Sequence, residues 1–389
     1  MKRSLGLQRH ATIAACHLLN LKSSSVRLAD PGQRYLEVGI LSRQLAETIT
    51  FGGDHIRSGV GNDAPARSVL LLEAGRHDRP KPGEVLPAVA NGLLRQLGVW
   101  TPFAEAGFVE NRALVSVGAN EVPSERHGMF SAQGAGWQLD RTRFDRLMVQ
   151  AAKAAGVDTR FGSAVGSAVR DDQGWLLKLA DEAIVARAVV WATGRSWRLA
   201  RCFGAKLTMH GHLAAYTRFF DTHRAIAAWS SRRVPKAGGT APTCACLTDP
   251  DLGSELRKAG HWYQALAATQ SIAPLVPPNA IETASMIKAA GTAIDPAAGN
   301  RWVAAGDCLF CADPLSSRGI VHALRSGILA AYAASDMLDG RGDSPAPAMQ
   351  NRHTRLCRLA PSTGCPLCSR RAMGHAFLAA AAQPCLPRV

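Results

Sequence analysis

Continuous apolar runs along residues 68–340 predict buried strands. SVLLLEAG (68–75), AIVARAVVWATG (183–194) and RWVAAGD (301–307) are apolar almost throughout, and each ends at an acid or a glycine. Such runs are typical of parallel strands that are covered on both faces. Two shorter segments, VDTRFG and GWLLKLA, predict further strands between residues 157 and 180.

Amphipathic stretches between these runs predict helices. DRTRFDRLMVQAAKAAG (140–156) places apolar residues at helical spacing, with Asp140 as N-cap and Gly156 at the end. PAVANGLLRQLGVW (87–100) has the same periodicity, with Gly98 as C-cap. GIVHALRSGILAAYAASDML (319–338) is rich in small residues, which suits close packing. The alternation of strands and helices predicts the α/β class.

Charge and cysteine concentrate outside these elements. The chain has 389 residues and a net charge of +15, of which segments 1–67, 222–246 and 341–389 carry +14. Because the rest of the chain is almost neutral, we expect no nucleic-acid partner. No apolar run reaches the length of a membrane-spanning helix, so we expect no membrane insertion.

The two ends of the chain have unusual compositions. The start resembles a signal peptide, but Arg9, His10 and His17 interrupt its apolar stretch. We therefore expect a cytoplasmic protein, which agrees with the lack of a regular disulfide framework. Residues 341–389 predict a weakly ordered tail.

Three strand ends carry residues suited to binding a nucleotide. Glu73 closes a buried strand, where an acid of a doubly wound fold accepts hydrogen bonds from ribose hydroxyls. Gly194 ends the VVWATG strand and allows close backbone approach to a ligand. Gly306-Asp307 ends the third strand, and Asp307 can accept hydrogen bonds from ribityl and ribose hydroxyls. The amides near Ser316–Gly319 lie at a helix N-terminus, which favours negative charge such as that on the pyrimidine edge of a reduced flavin.

The motifs together resemble one flavoprotein group. They are RSVLLLEAGRHDRPKPGEVLPAVANGLLRQLGVW, GWQLDRTRFDRLMVQAAKAAGV, VVWATGRS and AGDCLFCADPLSSRGI. The group is the tryptophan-halogenase-like branch of FAD-dependent oxidoreductases and monooxygenases. The likeness is greatest to members that modify tryptophan side chains of partner polypeptides in quinone-cofactor maturation. It spans residues 67–340, with an interruption at about 222–246.

The resemblance implies a set of cofactor-binding residues. Glu73 would bind the adenosine ribose, Arg141 would lie near the pyrophosphate, and Asp307 would bind the ribityl chain. The segment Pro314 to Gly319 would pass the isoalloxazine. The full set of predicted FAD-binding residues is Glu73, Arg141, Gly194, Gly306, Asp307, Pro314, Ser316, Ser317 and Gly319.

The resemblance also implies an activity. The default chemistry is oxygenation of an aromatic substrate, either a small molecule or a peptide tryptophan, through a flavin hydroperoxide formed from reduced FAD and dioxygen. The electron donor would be NAD(P)H or a separate flavin reductase. Halogenation is a weaker alternative, because halogenases carry Trp-x-Trp-x-Ile-Pro and a catalytic lysine. This chain has no such tryptophan pair and no lysine between Lys81 and Lys153. The sequence assigns no catalytic residue and no metal site.

The predicted domain organisation follows the motifs. An anomalous N-terminal segment covers 1–67. The FAD-binding domain, a Rossmann-type parallel sheet with helices, takes 68–90, 136–200 and 300–340. A mainly antiparallel substrate domain is inserted as 91–135 and 201–299. The oligomeric state is left open.

The glycine-rich phosphate cradle expected before Glu73 is missing. Gly52 and Gly53 stand at the right distance, but no third glycine is in register, and ILSRQLAETITF before them reads more like a helix than a strand. The formal match Gly59-x-Gly61-x-x-Ala64 leaves no room for a helix. One hypothesis is that the gene carries compensating insertions or deletions near codons 50–67 and 235–246. The chain would then lack the central strand and its cradle, and could be a non-catalytic relic that binds FAD weakly or folds poorly.

Several other residues admit a structural and a functional interpretation. Cys308-x-x-Cys311 has redox spacing, but two small residues packed beneath the flavin are favoured. Trp137 and His322 are expected in the core or on a helix face rather than against substrate. A zinc site is disfavoured because the spacings are irregular; its candidate ligands are Cys365, Cys368, His375 and Cys385.

Overall fold

The computed structural model describes part of the chain. The described residues are 33–42, 68–75, 81–111, 113–117, 123–127, 133–220, 243–269, 273, 276, 285–312, 314, 317–338, 340 and 376–379. The glycine-rich stretch 52–64, Ser316 and the four candidate zinc ligands lie outside these residues. In the described part, no group of three or more metal-ligating side chains occurs. None of the described helices combines the length and apolar character needed to cross a bilayer.

Eight strands form the main sheet. They are β1 (Gln33–Ser42), β2 (Val69–Glu73), β8 (Asp158–Phe161), β9 (Ser167–Arg170), β10 (Trp175–Lys178), β11 (Ala183–Ala192), β17 (Ala298–Gly299) and β18 (Trp302–Ala304). The strand order is β17-β18-β11-β1-β2-β8, with β10 and β9 attached beside β11. The five strands β18, β11, β1, β2 and β8 run parallel. Residues of the strands predicted from the apolar runs therefore share one sheet.

The remaining strands form smaller antiparallel sheets. They are β3 (Val85–Leu86), β4 (Val109–Asn111), β5 (Ala113–Val117), β6 (Pro123–His127), β7 (Gly136–Gln138), β12 (Lys206–His210), β13 (Ala214–Phe219), β14 (Thr243–Thr248), β15 (Ser285–Lys288), β16 (Gly291–Asp295), β19 (Phe310–Cys311) and β20 (Ala376–Ala379). Their orders are β12-β16-β19, β15-β13-β14-β20, β3-β7-β4 and β5-β6. The predicted α/β class, with a parallel sheet and antiparallel additions, is confirmed.

Six α-helices accompany the sheets in the described part of the chain. They are α1 (Ala90–Gln96), α2 (Trp100–Glu105), α3 (Arg141–Ala154), α4 (Pro250–Gly253), α5 (Ala259–Ala267) and α6 (Gly319–Leu338). Two 3₁₀ turns, Ser254–Arg257 and Gly306–Cys308, join neighbouring elements. The side chain of Asp140 caps α3 by accepting from the Arg143 amide at 3.1 Å. Gly156, at φ 86°, ends that helix in the left-handed region as predicted.

One strand contradicts the sequence interpretation. Residues 40–42, the first residues of the stretch that reads like a helix, are the end of β1. β1 lies between β2 and β11 and is parallel to both. The expectation that the chain lacks its central strand is therefore wrong. Two apolar neighbours, β2 and β11, offer β1 hydrogen-bond partners on both sides, and local periodicity cannot reveal such partners.

A second difference concerns the C-terminal tail. Residues 376–379 form β20, which pairs antiparallel with β14. Four residues of the predicted weakly ordered tail are thus part of a four-stranded sheet.

Two apolar cores hold the main sheet and its helices. Trp175, Trp191 and Trp302 surround Phe203, with ring centroids 4.9–5.2 Å from the phenylalanine ring. This core also contains β2 and the C-terminal half of α6. The second core packs α1 and α2 against α3 and the N-terminal half of α6, around the fully buried ring of Phe103. Because both cores contain residues of α6, they hold this helix against the main sheet and thereby determine the position of its N-terminus.

Candidate functional site

The carboxyl ends of four parallel strands meet at one edge of the main sheet. Ser42, the last residue of β1, is opposite Glu73 on one side and Ala192 on the other. Trp191 is opposite Ala304 at the end of β18. Ligands of open α/β sheets bind outside this edge. The register therefore brings together the strand ends at which the predicted site residues lie.

Asp307 lies in the 3₁₀ turn that follows β18. Gly306 starts this turn at φ 67°, a left-handed conformation that favours glycine. Asp307 Oδ2 lies 3.4 Å from Arg195 Nε, and the two side chains are 12% and 22% exposed. Burial raises the pKa of Asp307, and the Arg195 guanidinium opposes that rise. The carboxylate is thus partly desolvated, beside one cation, and still open to a ligand.

Arg195 is a site residue that the sequence analysis missed. It follows Gly194, which adopts φ 58° after the end of β11. Besides its contact with Asp307, its NH1 donates to the carbonyl of Lys288 at the end of β15. The Arg195 side chain therefore links the Asp307 carboxylate to an antiparallel sheet. Its position next to a glycine at a strand end is the sequence signal that could have identified it.

Arg141 lies in the first turn of α3 and is almost fully buried. Its NH1 donates to the carbonyls of Pro82 and Gly83 at 3.3 and 3.4 Å. Gly83 has φ 101°, a backbone conformation that favours glycine, and a Cβ at that position would lie 2.8 Å from NH1, so glycine suits this close approach of the loop to the guanidinium. The positive charge of Arg141 also lowers the pKa of Asp307, although less than burial raises it.

A carboxylate behind Arg141 was also missed. Asp145 is fully buried and lies 3.4 Å from Arg141 NH2 and 2.9 Å from Lys81 Nζ. Asp145 stands four residues after Arg141 on the same helix face, and that spacing was the available signal. The structure therefore holds Arg141 from two sides, by loop carbonyls and by a carboxylate.

Glu73 occupies its predicted place at the end of β2 but is fully buried. Its Oε1 accepts a hydrogen bond from the Gly75 amide at 2.6 Å. Of the two predicted hydroxyl-binding carboxylates, Asp307 is therefore the one with exposed side-chain surface.

The predicted helix N-terminus is present at α6, which starts at Gly319. Before it, Ser317 has φ 50° and its amide donates to the carbonyl of Pro314 at 3.0 Å. The first turn of α6 packs against β19, which follows the Asp307 turn, since Phe310 and His322 form an edge-to-face ring pair at 5.4 Å.

The structural interpretations of three residues, Cys308, Cys311 and Trp137, are supported. Cys308 is fully buried, its thiol donates to the Trp191 carbonyl at 2.8 Å, and burial raises the pKa of the thiol to about 12. Cys311 is buried in β19, and both cysteines are free thiols. Trp137 packs edge-on against Phe103 and donates its indole N–H to a neighbouring side chain.

The fold is that of flavin-dependent halogenases and monooxygenases. The myxobacterial chondrochloren halogenase CndH, described as a variant of FAD-dependent halogenases, superimposes with a TM-score of 0.66 at 18% identity, covering 83% of this chain and 80% of that one. PqsL of Pseudomonas aeruginosa, "a probable FAD-dependent monooxygenase", gives 0.62 at 14% identity, covering 84% and 93%. PqsL has also been solved with 2-aminobenzoylacetate. At these identities the comparison establishes the fold.

Among curated proteins, the chain is similar to the protein called "Putative FAD-dependent oxidoreductase LodB" of Marinomonas mediterranea. The two are 27% identical over 279 residues, which is 67% of this chain and 76% of LodB. No family model matches the chain. The predicted resemblance to halogenase-like FAD-dependent oxidoreductases is confirmed, whereas the narrower assignment to the tryptophan-halogenase branch stays a prediction.

The donor set of the site fits FAD on its ribityl side. Asp307 offers a partly exposed acceptor for hydroxyls, and Arg195 and Arg141 offer guanidinium donors of the kind that bind phosphate. The pyrophosphate cradle would follow Ser42, at which the described segment 33–42 ends. The next glycine in the sequence is Gly52. No residue of that turn is therefore assigned to the cofactor.

Proposed function

We propose that the chain is an FAD-dependent oxidoreductase of the monooxygenase type that acts on an aromatic substrate. The observation that carries the proposal is the Asp307 turn. The Asp307 carboxylate, 12% exposed, lies beside Arg195 in the turn that follows a parallel strand, and the charge of Arg141 also lowers its pKa. The fold and the relation to LodB support the same cofactor.

The protein's own residues would each serve one part of the cofactor. Asp307 would accept hydrogen bonds from ribityl hydroxyls, and Arg141 would donate to phosphate oxygens. The amides that begin α6 would face the part of the ring that becomes negative on reduction. Bound FAD would supply electron acceptance from a donor and the activation of dioxygen. The protein would orient the substrate and exclude water.

The site is tested by flavin binding. Purified wild-type protein is expected to carry FAD or to take it up on reconstitution, with release of one FAD per chain on denaturation. Asp307→Ala should weaken FAD binding about tenfold to a hundredfold, because a charge-assisted hydrogen bond is lost. Asp158→Ala is the matched control, since that carboxylate is 64% exposed on β8. A colourless protein that gains no flavin would overturn the proposal and favour the relic hypothesis.

The electron donor is part of the proposal but has its own test. If NAD(P)H alone bleaches the flavin absorbance without oxygen, NAD(P)H is the direct donor. If bleaching needs an added flavin reductase, the second donor is the correct one.

The aromatic substrate class draws on PqsL, which has been solved with 2-aminobenzoylacetate. Aromatic compounds and tryptophan-containing peptides are to be incubated with reduced enzyme and isotopically heavy dioxygen. A mass increase from incorporated oxygen supports monooxygenation. A product that forms only with added halide would instead favour halogenation. The cytoplasmic location and the absence of a nucleic-acid partner stay predictions from the sequence.

A further inference from the structure

The turn that carries Asp307 is anchored on both sides by buried groups. On one side, the Gly306 amide donates to Ser326 Oγ at 2.9 Å. On the other side, the Cys308 thiol donates to the carbonyl of Trp191, at 2.8 Å. The first anchor belongs to α6 and the second to β11. The position of Asp307 is therefore determined by two elements that are distant in the sequence.

Ser326 uses its hydroxyl in two directions. It accepts from the Gly306 amide, and it donates to the carbonyl of His322 at 2.8 Å or of Ala323 at 3.1 Å. Its residue surface is only 3% exposed. A helical serine commonly donates a hydrogen bond to a carbonyl of the preceding turn. Ser326 also accepts a hydrogen bond from the Gly306 amide, so it connects α6 to the Asp307 turn.

We infer that Ser326 is a positioning residue for the cofactor site. It holds Gly306 at φ 67° and thereby sets where the next residue, Asp307, directs its carboxylate. The same hydroxyl binds the first turns of α6 through His322, so it fixes the distance between the carboxylate and the helix N-terminus. Both groups would act on the ribityl and ring portion of FAD, and the inference rests on the proposed function in this respect.

Three ligands separate this role from a general structural one. Riboflavin contains the ring and ribityl chain but no phosphate, whereas ADP contains the adenosine ribose and phosphates but no ribityl chain. Ser326→Ala removes the acceptor of the Gly306 amide. This substitution should weaken the binding of FAD and of riboflavin about tenfold, which equals about 1.4 kcal/mol of binding free energy. ADP affinity should stay within about twofold, because its predicted contacts lie at Glu73 and Arg141.

Two variants serve as controls. Ser335→Ala removes another buried hydroxyl from α6, nine residues further on and about 13 Å along the helix axis. Its affinities for all three ligands should match those of the wild type. Ser326→Thr keeps the hydroxyl and should restore flavin binding to within about threefold of the wild type. Flavin fluorescence measures the first two ligands and calorimetry measures ADP.

The outcomes are distinct. If Ser326→Ala weakens the binding of all three ligands equally, or weakens the binding of none, the inference is overturned while the proposed function stays intact. The same holds if Ser326→Thr behaves like Ser326→Ala while folding normally by circular dichroism. If the wild type binds neither FAD nor riboflavin, the proposed function fails, and the positioning role fails with it.

Discussion

The buried ion cluster on α3 makes the most quantitative stability prediction. Asp145 is fully buried and stands between Lys81 Nζ at 2.9 Å and Arg141 NH2 at 3.4 Å. Their side chains are 27% and 6% exposed. Asp145→Ala removes the only negative charge of these three groups and leaves two cations near the vacated position.

The size of the effect follows from burial. Removing one partner of a buried ion pair costs about 3–5 kcal/mol, because a buried charge loses its compensation. Here Arg141 keeps the carbonyls of Pro82 and Gly83 as acceptors, and Lys81 can turn toward water. We therefore expect the lower end, a loss of about 3 kcal/mol in the free energy of unfolding.

Urea unfolding followed by circular dichroism measures this loss. Glu182→Ala is the matched control: Glu182 also lies 2.9 Å from its partner Arg160, but the Glu182 side chain is 38% exposed, whereas that of Asp145 is fully buried. That surface pair should contribute less than about 1 kcal/mol. Adding Lys81→Met to Asp145→Ala should recover part of the loss by removing one cation. If Asp145→Ala costs no more than Glu182→Ala, the reasoning is refuted.

Three further predictions concern thiols, packing and pH. Burial raises the pKa of the Cys244, Cys246 and Cys308 thiols to about 12, so iodoacetamide at mildly alkaline pH should label these cysteines in urea but not in the native chain. Peptide mass spectrometry measures the labelling, and rapid labelling of the native chain would contradict this expectation. Phe203→Ala should lower stability by about 3–5 kcal/mol and alter tryptophan fluorescence, because the ring lies among three indoles; unchanged fluorescence would speak against this packing. Burial raises the pKa of Asp307 above the ordinary value of 3.8. The folded state therefore holds this proton more tightly than the unfolded state, and stability falls as pH rises from 3.8 through the raised pKa. Asp307→Asn should therefore gain thermal stability relative to the wild type with rising pH and show no gain in acid, whereas parallel curves of melting temperature against pH would exclude the raised pKa.

Local signals predicted most of the elements around the site. The capped helix after Asp140, the small-residue helix 319–338 and the apolar strands at 69–73 and 183–192 all form where the sequence places them. In each case the cap, the periodicity or the apolar run lies within the element itself. Residues 40–42 at the end of β1 were interpreted wrongly because their pairing partners, β2 and β11, decide their conformation.

The candidate site residues that the sequence predicted lie next to strand ends, whereas those that it missed are held by partners distant in the sequence. Asp307 was identified because it ends an apolar run. Arg195 contacts Asp307 across 112 residues, and Ser326 contacts Gly306 across 20. Neither pair has a fixed spacing that a sequence pattern could reveal. The contacts of Arg141 with Pro82 and Gly83 are equally remote, at 59 and 58 residues.

The central place of β1 has a consequence for biosynthesis. Gln33 pairs with Ala183, so β1 leaves the ribosome 150 residues before its partner β11. At about 5–20 residues per second, the edge of β1 that pairs with β11 stays open for roughly 7–30 s. During that interval other chains or chaperones can compete for its backbone groups, so the yield of folded protein should depend on how fast residues 43–183 are translated.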